Sequence, residues 1–207
     1  DRLYPYAGAV TADAEPAISP SPREVPLARV EGMIVVFLTS AASLIVEIVA
    51  GRMLAPYVGM SLYTWTSVIA VVLAGLSLGH WIGGHATERF HNRIRPFLAV
   101  ILIAAAASTL GAIMILPAAS QFLLTRFDTA VAGITALTVS AFFIPSVAAG
   151  IPSPLIATGL VEADPGRKGR ALGGLFAAGA TGSIFGTLSA GYLFISWLGS
   201  TRTLIAC

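Results

Sequence analysis

Charge is scarce in this sequence. Only 11% of its 207 residues are Asp, Glu, Lys or Arg, where a soluble domain carries about a quarter. That shortage excludes a water-soluble enzyme and a disordered tail. Basic and acidic residues are nearly balanced, 12 against 10, so the electrostatic footprint of a nucleic-acid binder is missing. Cysteine is almost absent: Cys207 is the single one, which excludes a disulfide framework. Together with three scattered histidines it cannot supply a thiolate zinc site. Aspartate occurs only at Asp1, Asp13, Asp128 and Asp164, none of them within a long apolar run. No nucleophile elbow, P-loop, paired carboxylate or metal cluster can be assembled, so no catalytic, cofactor or metal residue is assigned. Lys168 is the sole lysine; arginine in place of lysine, with abundant alanine, points to a GC-rich bacterial genome.

Hydrophobic residues make up 56% of the chain, and they come in long runs. A helix needs about 20 mainly apolar residues to cross a bilayer. The runs Gly32–Leu54, Tyr63–Gly84, Pro96–Leu116, Ala130–Ile151 and Ala171–Leu198 qualify, and a sixth begins near Thr203. They lack the period-two alternation of barrel strands. The expected architecture is an all-α, polytopic membrane bundle of about six helices, over residues 32–207. Residues 1–31, rich in proline and without apolar periodicity, read as a flexible cytoplasmic leader. The chain opens at Asp1 and stops inside an apolar run, which reads as part of a longer protein.

Orientation follows from arginine and lysine in short loops. Arg23, Arg29, Arg89, Arg93, Arg95, Arg167, Lys168 and Arg170 fall on one predicted side, against Arg52, Arg126 and Arg202 on the other. The leader and the second and fourth loops are therefore expected in the cytoplasm of a bacterium, the protein lying in its inner membrane. Tyr57, Tyr63, Trp65 and Trp197 fall at the opposite, outer interface, where amphipathic rings prefer to sit.

Glu47 is the one acidic residue well inside an apolar run. At about 100° per residue, Ser40, Ser43, Glu47 and Gly51 share a narrow arc of one helix. A carboxylate in hydrocarbon costs several kcal/mol, so it should face the bundle interior, a cavity or a partner. It is either a substrate or proton site, or a structural carboxyl joining helices. Depth arithmetic separates it from His80 by about 13 Å along the membrane normal; His80 is the weaker candidate. Thr66 and Ser67 match the height of Glu47 and complete the candidate polar site. Gly75, Gly79 and Gly83, and likewise Gly182 and Gly186, recur every four residues, the spacing that lets helix backbones approach closely. Pro145, Pro152 and Pro154 should kink or break the fourth helix.

Gly84 to Arg89 (GHATER), followed by Arg93, resembles the cytoplasmic loop motif of major-facilitator transporters. A longer resemblance covers roughly residues 32–204. The stretches Ser43–Gly59 (SLIVEIVAGRMLAPYVG), Ser61–Ser67 (SLYTWTS) and Val72–Gly79 (VLAGLSLG) are similar to the first membrane helices of multi-spanning spermidine-synthase-like proteins. So are Gly169–Gly174 (GRALGG), Gly182–Thr187 (GSIFGT) and Trp197-Leu198-Gly199. The resemblance implies a membrane domain that anchors or feeds a cytoplasmic aminopropyltransferase domain, which is not in this chain. The alternatives are a half-size, major-facilitator-like transporter of polyamines or other small molecules, with Glu47 as its carboxylate, and an accessory subunit of a larger membrane complex. The partners implied are the lipid bilayer, a polyamine, and further copies or subunits, with no nucleic acid.

Overall fold

A computed structural model describes residues 29–90, 93–163 and 165–207. The expected leader lies outside these residues, apart from Arg29–Glu31, which open the first helix. Among the described residues the chain is helical throughout, without a strand. The helices are α1 (Arg29–Val58), α2 (Leu62–Phe90), α3 (Ile94–Arg126), α4 (Ala130–Gly150), α5 (Pro152–Ala163), α6 (Lys168–Ser189) and α7 (Ile195–Ala206), with a π-turn at Ala190–Phe194 joining the last two. Five stretches are long and apolar enough to cross a membrane: α1, α2, α3, Ala130–Glu162 and Lys168–Ala206. The protein is a multi-pass membrane protein.

The helices run past the apolar segments at several ends. Hydropathy marks only the part that sits in hydrocarbon, whereas backbone hydrogen bonding continues into the interface, where charged side chains are tolerated. α1 stops at Gly59, whose φ of +75° suits glycine and whose N–H donates to the Ala55 carbonyl at 2.9 Å. Ser61 then caps α2: its Oγ accepts from the Thr64 N–H at 3.2 Å. The fourth span breaks at Ile151, and α5 restarts with Pro152, a residue suited to a first helical turn because its nitrogen has no proton to leave unpaired. Pro145 stays inside α4.

Two seams fix the bundle. Gly75, Gly79 and Gly83 lie on α4 and its continuation: a Cβ at Gly75 would stand 2.6 Å from the Ser146 Cβ, and one at Gly79 would collide with the Val147 carbonyl oxygen. Gly182 and Gly186 lie in the same way on the backbone at Phe37 and Ala41 of α1. In both seams residue numbers rise together, so α2 runs parallel to α4, and α1 parallel to α6. Apolar cores lie towards either end. One joins Ala50 and Leu54 of α1 to Val68, Leu116 and Phe142; the other centres on Leu155, Ile156 and Leu160 of α5. Outside them, Ile103 and Met114 of α3 and Phe176 of α6 are exposed, as suits a surface bathed in lipid.

The fifth span contains a reversal. Gly199, at φ +75° and ψ 168°, interrupts α7. Beyond it Leu204 packs with Ile45 and Val49, and the Cys207 thiol donates to the Ala42 carbonyl at 3.4 Å. Residue numbers now fall along α1 as they rise along α7. The expected start of a further helix near Thr203 therefore coincides with a short segment turning back beside α1.

Candidate intramembrane site

Glu47 stands half-buried on α1, with no hydrogen bond or ion pair among the described residues. Its neighbours on the helical arc part company. Ser40 faces α6, its Oγ 3.4 Å from where a Cβ on Gly179 would sit; Gly51 is pressed by the Trp65 ring, 3.0 Å from the same construction. Ser43 looks the other way, into a cavity beside α3.

The two α2 residues matched in height also separate. Thr66 is exposed. Ser67 is buried and 3.0 Å from Thr135 Oγ1 on α4; since Thr135 spends its own proton on the Val131 carbonyl at 2.8 Å, Ser67 is the donor. No hydrogen bond joins any two of Ser40, Ser43, Glu47, Thr66 and Ser67 among the described residues. Equal height did not produce one site because height leaves the angle around each helix undetermined. His80 is exposed on α2. Gly75, Gly79, Gly83, Gly182 and Gly186 all lie in the two seams.

The cavity has a volume of about 340 Å³ and lies between α1, α3, α4 and the returning segment. Its walls include Leu38, Ala42, Leu102, Ala105, Pro145 and Leu204. Its polar side chains are the hydroxyls of Thr39, Ser43, Thr109 and Ser146 and the Cys207 thiol. Thr39 Oγ1 donates to the Val35 carbonyl at 2.9 Å, and Ser146 Oγ to the Phe142 carbonyl at 2.7 Å. Ser43 and Thr109 have no acceptor among the described residues. Glu47 is not in its wall, and no other ionisable side chain but the Cys207 thiol is. Such a space suits an apolar guest and has nothing to balance a polycation. Thr39 and Thr109 escaped the sequence reading; their hydroxyls on facing helices carried a faint signal that only the pairing of α1 with α3 makes visible.

The charged residues sort by end. Arg95 Nη2 meets Glu31 Oε2 at 2.9 Å, and Arg29 Nη2 donates to the Arg170 carbonyl at 3.0 Å. The starts of α1, α3 and α6 thus share one end with Arg89, Arg93, Arg167 and Lys168. Arg52, Arg126 and Arg202 lie towards the other, along with exposed Tyr57, Tyr63 and Trp197. No protein-family model matches this chain, and no curated protein or solved structure does.

Proposed function

We propose that this chain is the membrane domain of a spermidine-synthase-like protein, a six-helix, half-major-facilitator-like bundle that holds a cytoplasmic aminopropyltransferase at a bacterial inner membrane. The observation that carries this reading is the gathering of basic side chains from the starts of α1, α3 and α6 and the end of α2 at one end. By the positive-inside rule that end faces the cytoplasm, and the N-terminus with it. The segment turning back after Gly199 supports a sixth crossing towards the same side. A bundle held by backbone-on-backbone seams, with a cavity lacking charged walls, suits a scaffold better than a polyamine channel.

The test is on the full-length gene product in its native membrane. Washed membranes should convert putrescine to spermidine when given decarboxylated S-adenosylmethionine. A cysteine placed at Gly169 should resist an impermeant maleimide in intact cells and react after lysis. Membranes without transferase activity, together with labelling at Gly169 from outside, would overturn the reading.

One observation favours a second reading, a half-size polyamine transporter: the Glu47 carboxylate is half-buried and unpartnered among the described residues. Putrescine uptake by proteoliposomes that falls at least tenfold in Glu47→Gln would establish it. Uptake indifferent to that change would leave Glu47 a structural group, and Glu47→Leu should then stabilise the bundle.

A further inference from the structure

We propose that the corner between α1 and α6, built from Arg29, Arg167, Lys168 and Arg170, binds the phosphate headgroup of an anionic membrane lipid. All four residues are exposed. The Arg29 guanidinium is held on the first turn of α6 by its hydrogen bond to the Arg170 carbonyl, and it sits 3.5 Å from where a Cβ on Gly174 would be. The glycine seam thereby brings the Arg29 guanidinium onto the start of α6, the stretch that carries Arg167, Lys168 and Arg170.

Like charges gathered in this way call for an anion. At the neighbouring corner between α1 and α3 the protein supplies its own, since Glu31 pairs with Arg95. At the α1–α6 corner none of the four cations has a carboxylate partner among the described residues. The corner lies where two apolar spans begin, which for a helix crossing a bilayer is the depth of the headgroups. Exposed Val30 and Phe176 on the same two helices offer apolar surface for acyl chains. Arginine forks match phosphate oxygens in pairs. Basic residues in this position each strengthen attachment to anionic lipid about fivefold. The inference requires only a membrane surface at this end, and it stands apart from the question of the transferase.

The experiment measures binding of dioctanoyl phosphatidylglycerol to the full-length protein in mild detergent, by microscale thermophoresis. Dioctanoyl phosphatidylcholine and inorganic phosphate are the other probes. The glycerol lipid should bind at least about tenfold tighter than the choline lipid, and equimolar phosphate should not displace it. Substituting Arg29→Gln, Arg167→Gln, Lys168→Gln and Arg170→Gln together should weaken binding by a factor on the order of several hundred, whereas Arg126→Gln with Arg202→Gln should leave it unchanged. On the unaltered protein, affinity should fall steadily as sodium chloride rises, a result that does not depend on the variant folding. Equal affinity for the two lipids, displacement by phosphate, a fourfold variant that binds as well as the parent, or indifference to salt would each overturn the proposal.

Discussion

Helix α1 is met in two different ways by its neighbours. Along one side α6 comes close enough that Gly182 and Gly186 rest on the backbone at Phe37 and Ala41. Along the other, α3 touches α1 near both ends and leaves about 340 Å³ open between them. Both contacts involve small residues: glycine in the seam, and Ala42, Ala105 and Ala106 at the cavity. In lipid, apolar side chains gain little by leaving the solvent, so close association depends on dispersion contact and on interhelical hydrogen bonds. Small residues serve that end only when they repeat along the line of contact. The glycines at every fourth position of α6 do so and admit the α1 backbone, whereas Ala42, Ala105 and Ala106 line the open space.

Five substitutions would break or sharpen this contrast. The largest effect is expected from Gly79→Leu or Gly182→Leu, because the new Cβ would fall on a carbonyl of the facing helix. Overpacking of this kind costs about 3 kcal/mol or more, and thermal unfolding of the purified protein in detergent should show a lowered midpoint or lost cooperativity. Ala105→Leu projects instead into the cavity and should stabilise by up to about 1 kcal/mol, since added atoms gain contacts where there was space. A destabilisation as large as that of the glycine variants would mean that the gap is closed in the membrane. Ser67→Ala removes the hydrogen bond to Thr135 that supports the α2–α4 seam. It should cost about 0.6 kcal/mol, the usual worth of such a bond between membrane helices, measured by refolding from sodium dodecyl sulfate. Smallest is Glu31→Gln at the foot of the α1–α3 contact. With both partners about half exposed, 46% and 50%, the change should stay within about 0.5 kcal/mol and fade as salt is added.

Much of the fold was legible because a bilayer leaves few choices. Long uncharged runs must be helices, and the four-residue spacing of glycine announces a contact face. The spacing did not say which helix each face meets. That α2 pairs with α4, and α1 with α6, emerges only from the packing of the whole bundle. The break in the fourth span was announced by three prolines but landed at Ile151, ahead of Pro152, while Pro145 was absorbed in α4. Where lipid meets water the reading stopped short: α3 continues through Pro117 to Arg126, beyond the last residue that hydropathy marks. The candidate site was the least legible. Ser40, Ser43 and Glu47 share one arc, yet α6 stands at one edge of it and the cavity at the other, so Ser40 meets α6 and Ser43 the open space. A helical wheel holds the angle of a side chain on its own helix; it holds nothing of what stands opposite.

The seam between α1 and α6 also sets a schedule for biosynthesis. Arg29 and Arg170, which meet at its foot, are 141 positions apart in the chain, whereas Ser67 and Thr135 in the other seam are separated by 68. A ribosome adds about 5–20 residues per second, so α1 enters the bilayer on the order of ten seconds before its closest partner exists. Through that interval the Phe37 and Ala41 backbone is covered only by lipid, or by whatever insertion machinery stands beside it. The α2–α4 pair completes first and becomes the platform on which α1 is finally locked by α6.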